Sequence, residues 1–188
     1  IPGVWQVDSE GLPRFSGDWT ETMVHEFVHS YANPLVERFA PQLEKAGRLL
    51  NEPVQEAMRA QAYGPWKTLL YESLVRAATV RYILEHTGSE AARRAIQREH
   101  ARSFLWIGEL VELLGQYEKD REAYPTLESF MPKVVDFFNN VGSRVGELVR
   151  RYDESRPKVA AMNITNGAQD VDPNLAEIVI RFDRPMRK

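Results

Sequence analysis

Apolar residues recur at helical spacing over most of the chain, as far as about Tyr152, and prolines divide that pattern into segments. A chain patterned in this way folds as packed amphipathic helices. In "DWTE", Asp18 is placed as an N-cap with a glutamate three residues on, and it opens the first helix. Val24, Phe27, Val28, Tyr31 and Leu35 form the apolar stripe of that helix. Pro34 ends or kinks it, because the residue before a proline is pushed out of the α region. Pro41 suits the first turn of a helix through "QLEKAGRLL", and "NEP" restarts another toward Ala62. Pro65 opens "WKTLLYESLVRAATVRYILEHT", with Gly88 at its C′ position. Ser89 caps a long helix that runs through "IGELVELLGQYEK" and buries Ile107, Leu110, Val111 and Leu114. The last helical region, "LESFMPKVVDFFNNVGSRVGELVRRY", is interrupted near Asn139 to Gly142.

The two ends differ from this middle. "GVWQVDSEGLPRF" reads as a short extended strand or hairpin around a "SEG" turn, with Val4 to Val7 available to pair with a peptide as an added strand. After the polar linker "DESRPK", "KVAAMNIT" and "AEIVIRF" are β-like runs separated by the turn-rich "NGAQDVDPN". Two strands do not make a stable domain alone, so the tail reads as the start of a β domain rather than a docked hairpin. The expected fold is mainly α with a short N-terminal β element over residues 1–155, followed by β strands over 156–188.

Composition narrows the function classes. The net charge of −3 over 188 residues, with arginine and lysine interleaved with glutamate, gives no basic face for nucleic acid. The run "RRAIQREHAR" reads as solvated helix surface, and "FLWIGELVELL" as core. The absence of cysteine excludes disulfides, thiolate ligands and thiol catalysis. No apolar run reaches the roughly 18 residues that a membrane-spanning helix needs.

Within the first helix, "HEFVH" carries the strongest chemical signal. His25 and His29 are four residues apart, one turn on one face, which is the spacing of a two-histidine metal clamp. They avoid the apolar stripe, so the helix is expected to pack while both imidazoles face a cleft. Glu26 is turned about 100° from His25 around the axis, where a carboxylate reaches a metal-bound water without ligating the metal. A catalytic zinc keeps three protein ligands and an open position. The extended form of the motif fails, because Ala32 and Leu35 stand where a glycine and a third histidine would be. Glu72 is the best third ligand, since a carboxylate on so apolar a helix is costly to bury unless paired or metal-bound. A salt bridge to Arg76, one turn on, is the alternative reading, and both hold if Arg76 orients the ligand. Glu37, Glu85 and His86 are rivals. Asn33, one turn past His29, either supports the site or is a polar helix-end residue. Tyr31, Tyr63, Tyr71 and His100 are open as donors to a tetrahedral oxyanion, with Tyr31 and Tyr71 better read as core.

With His25-Glu26-x-x-His29 and the later Glu72, the chain resembles the gluzincin branch of zinc metallopeptidases. The longer string from His25 through Phe27, Ser30 and Asn33 to Pro34, followed by Glu72-Ser73-Leu74-Val75-Arg76-Ala77, looks like an uncharacterised bacterial family of secreted or lipid-anchored metallopeptidases. The resemblance covers roughly Val4 to Tyr152. It implies a zincin-like α+β domain, Zn²⁺ held by His25, His29 and Glu72, water activated by Glu26, and a peptide or protein substrate. One departure is plain: the best-known gluzincins carry an acidic residue where this chain has Arg76. The tail "MNITNGAQDVDPNLAEIVIRFDRPM" resembles the first strands of a bacterial Ig-like domain, which implies a secreted, periplasmic or cell-surface protein. The competing readings are a catalytically silent zinc-binding protein and a structural helical module with an adhesive tail.

Overall fold

The computed structural model describes residues 7–14 and 19–186. The chain divides into two units, residues 1–149 and 150–188. The expected N-cap Asp18 and the Val4 to Gln6 part of the front strand lie outside the described residues. What is described of the front is a tight turn. Val7 bridges Pro13, and the Asp8 carboxylate accepts from the backbone N–H groups of Glu10 and Leu12 at 2.9 Å each.

The first unit is mainly helical. Helix α1 spans Trp19–Arg38, α2 Ala40–Asn51, α3 Gln55–Ala60 after a single 3-10 turn at Glu52–Val54, and α4 Trp66–His86. Helix α5 spans Ser89–Ala101, α6 Ile107–Lys119 and α7 Leu127–Ser155, the last residues of which belong to the second unit. No helix among the described residues is long and apolar enough to cross a membrane.

Helix α4 is the centre of the unit and packs against α1, α2, α5 and α6. Leu69, Leu70, Leu74, Val75, Ala77, Val80 and Ile83 are buried around its circumference, which is how a core helix differs from a surface one. A helix buried all round must find partners for its polar side chains. Ser73 Oγ donates to the Leu69 carbonyl at 2.7 Å and accepts from the Trp106 indole N–H at 2.9 Å, and Thr79 donates to the Val75 carbonyl. That leaves Glu72 and Arg76, both buried, and these two form the site described below. Phe104, Trp106, Ile107 and Leu110 are fully buried, so "FLWIGELVELL" is core as expected.

Four expectations about the helices need correction. Of the two outcomes expected at Pro34, an end to the helix is not seen, since α1 continues to Arg38. The missing N–H and the ring clash cost several kcal/mol in an isolated helix (about 3), but Ala32 and Val36 on either side of the proline are completely buried and hold the turn in place. The apolar stripe is also rotated from its expected position, although Val28 and Leu35 still pack against the core. Phe27 and Tyr31 are exposed, stacked edge to face with centroids 5.3 Å apart, while Ala32 and Val36 face the core. The long helix from Ser89 is two helices, broken at residues 102–106, where Ser103 has a φ of 72°. Finally, α7 runs unbroken through Asn139 to Gly142. Gly142 is there for contact: a Cβ on it would lie 3.4 Å from the backbone of Ala46 on α2.

A second close approach gives a test of the packing. A Cβ on Gly47 in α2 would overlap Cε3 of Trp66 and lie 3.0 Å from Cδ2. Gly47→Ala gains about 1 kcal/mol of helix propensity, but displacing the indole is expected to cost more, for a net loss of about 1–2 kcal/mol. Gly146→Ala in α7, where a Cβ meets nothing within 4 Å, is expected to stabilise instead. Urea unfolding of the two variants checks the opposite signs.

In the second unit, β1 (Val159–Met162) and β2 (Ile180–Phe182) pair antiparallel and make the only sheet among the described residues. Val159 faces Phe182 and Met162 faces Ile180, with an irregularity between Val159 and Ala161. Asn163 ties the intervening loop to the ladder by donating to the Glu177 carbonyl and accepting from the Val179 N–H.

Candidate metal centre

A helix advances about 100° per residue, so positions 25, 29, 32 and 36 of α1 fall within a narrow arc. Ala32 and Val36 are fully buried, and His25 and His29 lie on that same inward face. The histidines therefore share the packed face instead of avoiding it, and they meet α4 where Glu72 projects. Phe27 and Tyr31 are correspondingly turned to solvent.

Three donors converge there. His25 Nε2 and His29 Nε2 are 3.3 Å apart, His29 Nε2 is 3.4 Å from Glu72 Oε1, and His25 Nε2 is 3.6 Å from Glu72 Oε2. A tetrahedral ion with bonds of about 2.0–2.1 Å places its ligand atoms roughly 3.3–3.4 Å from one another. His25, His29 and Glu72 are thus a possible metal-binding triad by residue type and by spacing. The chemistry of the donors agrees. Asn33 Oδ1 lies 3.1 Å from His29 Nδ1 and accepts its proton, which leaves the Nε2 lone pair pointing at Glu72. Burial, followed by the charges of Arg76 and His29, lowers the pKa of His25 to about 4, so its imidazole is neutral at physiological pH, as a ligand must be. Glu72 Oε2 is buried, and among the described residues its close contacts are His25 Nε2 at 3.6 Å and Arg76 NH2 at 3.0 Å. Lone pairs brought together in a partly dry site repel one another unless a cation lies between them.

The carboxylate is held from behind. Arg76 NH2 is 3.0 Å from Glu72 Oε2, its NH1 donates to Glu99 Oε2 at 2.6 Å, and its NH2 donates to the Tyr63 hydroxyl at 3.1 Å. The guanidinium also lies over the Phe104 ring, 4.7 Å from the centroid. Burial raises the pKa of Glu72, against the pull of Arg76 and His29. Both readings of Glu72 are therefore present together, a salt bridge to Arg76 and a place in the triad. Glu99 is the residue that the sequence hid. It belongs to the run read as solvated surface, yet it is buried and bridges Arg76 and Arg102.

Glu26 is exposed at the edge of the triad, and its charge acts on both His25 and Glu72. The rival ligands lie elsewhere. Glu37 is exposed and bound to Lys67 at 2.7 Å and to the Tyr71 hydroxyl, while Glu85 and His86 line a separate pocket of about 400 Å³. Of the open oxyanion donors, Tyr71 is committed to Glu37, Tyr31 faces solvent, and His100 Nε2 is buried without a hydrogen-bond partner among the described residues. Tyr63 accepts from Arg76 and lines a cleft that His25 also lines, so its own proton is left to donate.

Asn33→Ala is expected to weaken metal binding by about 10–100-fold, because the His29 ring loses the acceptor that fixes its orientation. Competition with a chromophoric chelator measures this, and an affinity within about twofold of wild type would return Asn33 to a plain helix-end role.

Neither a curated protein nor a solved structure matches the chain. Residues 15–137, more than half of it and including every member of the triad, match a family described as "Domain of unknown function (DUF4932)", and the chain belongs to that family.

Proposed function

We propose that the chain is a zinc-dependent peptidase whose ion is held by His25, His29 and Glu72, with Glu26 as general base. The observation that supports this most is the convergence of two Nε2 atoms and a carboxylate at ligand spacing, with Glu26 next to His25 on the same helix. Zinc bound there would supply Lewis acidity, making water nucleophilic near neutral pH and polarising a carbonyl.

The chain's own residues supply the rest. Asn33 fixes the His29 tautomer, and Arg76, anchored by Glu99, fixes the Glu72 carboxylate. Glu26, exposed and free of a described partner, takes the proton from water and returns it to the leaving amine. The Tyr63 hydroxyl, which accepts from Arg76 and lines the same cleft as His25, is our candidate donor to the oxygen on which charge develops.

The resemblance to gluzincins supports the same reading, and so does the likeness of the tail to an Ig-like domain for an exported protein. Val159, Ile178, Ile180 and Phe182 are apolar and substantially exposed, as expected of strands that join a further sheet. The test is turnover of a quenched-fluorescent peptide library by purified protein. The expected result is cleavage that a chelator abolishes and stoichiometric zinc restores. Zinc-loaded protein that cleaves none of the library would favour the silent zinc-binding reading.

A further inference from the structure

A cleft of about 590 Å³ opens beside the triad, between α1, α4 and α5, with His25, Tyr63 and Arg76 in its wall. That volume is in the range of small-ligand sites. Its wall is rich in arginine. Three guanidiniums line it, from Arg76, Arg98 and Arg102, against the two carboxylates of Glu21 and Glu99. Arg76 is matched by Glu72 at 3.0 Å and Glu99 at 2.6 Å, and Arg102 shares Glu99 at 3.0 Å, so Arg98 and Arg102 are the less fully paired.

The remaining pair is weak. Arg98 meets Glu21 at 3.4 Å, and both side chains are about half exposed, at 53% and 48%. Exposed pairs of this kind contribute little and exchange easily. Arg98 is in the last turn of α5 and Arg102 caps its C-terminus, four residues on, where like charges repel. Each gives one N–H to an acid among the described residues, out of five that a guanidinium carries. Two forked donors with unused N–H groups therefore line the same concave cleft, each about half exposed. That is the chemistry which recognises a carboxylate in bidentate fashion.

We propose that this cleft binds a carboxylate of the substrate, so that the site acts on peptides bearing an acidic group close to the bond that is cut. The proposal rests on the peptidase reading for its use of the word substrate, but the cleft and its arginines do not depend on it. Two sources supply the same chemistry, an Asp or Glu side chain and a free C-terminal carboxylate. Thr22, one turn before Glu26 on α1, lies in the same wall and offers a neutral hydroxyl beside the arginines.

The test is calorimetric binding of three short acetylated peptides to the whole chain without metal, where no hydrolysis interferes. One ends in Glu amide, one in Gln amide and one in Gln with a free carboxylate. At least one acid peptide is expected to bind about tenfold or more tighter than the Gln amide. The preference is expected to vanish in the Arg98→Gln, Arg102→Gln double variant, whose side chains are about half exposed and which leaves Glu99 its pair with Arg76. The tighter of the two acids identifies the carboxylate. Equal binding of acid and neutral peptides, no binding of either acid, or a preference unchanged in the double variant would each overturn the proposal. Turnover of the same peptides by zinc-loaded wild type is read separately. Preference without cleavage would keep the carboxylate site and sink the peptidase reading, and cleavage without preference would do the reverse.

Discussion

Glu26→Gln is expected to lower kcat/KM for peptide cleavage by about 10²–10⁴-fold while the protein keeps its zinc. The substitution preserves shape and removes only the capacity to take a proton, and a positioned general base is worth about that factor. Glu26 is exposed at the edge of the triad and outside it, so its loss leaves His25, His29 and Glu72 in place. Metal content and turnover must be measured on the same sample. Activity within about tenfold of wild type would remove Glu26 from the chemistry, and a parallel loss of zinc would make it a structural support of the site.

The second large effect is on folding. Arg76 stands between Glu72 and Glu99, with 7% of its side chain exposed, against 8% and 11% for the two acids. Arg76→Met in metal-free protein leaves two buried carboxylates without their shared cation. Breaking a buried pair in this way costs about 3–5 kcal/mol. Replacing Arg76 and Glu99 together by methionine is expected to cost less than Arg76→Met alone, because the partner charge leaves as well. Urea unfolding in the presence of a chelator measures these two variants and Glu99→Met alone. A double variant as destabilised as the sum of the two single ones would show that Arg76 and Glu99 act independently.

The helical class, the buried face of α6 and the His25-Glu26-x-x-His29 spacing were legible because each is set by local periodicity. Glu72 was legible for a different reason, as a carboxylate with little polar company on an apolar helix. What the sequence could not show were effects decided by the packing of distant elements. Glu99 has arginines around it like any surface residue, and its burial is set by where α5 meets α4. Gly142 looks like a helix interruption until Ala46 is seen to pack on it. Pro34 looks like a stop until Ala32 and Val36 are found fully buried beside it. The inward turn of His25 and His29 has the same origin. On α1 the more apolar side chains, Phe27 and Tyr31, gave up the core to the imidazoles. Hydrophobicity alone predicts the opposite rotation, and a helix built around a polar triad resolves it.

The central claim is that the triad holds a metal, and zinc content tests it most directly. Mass spectrometry of purified protein, supplied with zinc and freed of excess, is expected to find about one ion per chain in wild type and little or none in Glu72→Ala, since structural and catalytic zinc sites need three or four protein ligands. No zinc in the wild type after this treatment would contradict the account, and the approach of His25, His29 and Glu72 would then be a polar cluster held by Arg76 and Asn33 alone.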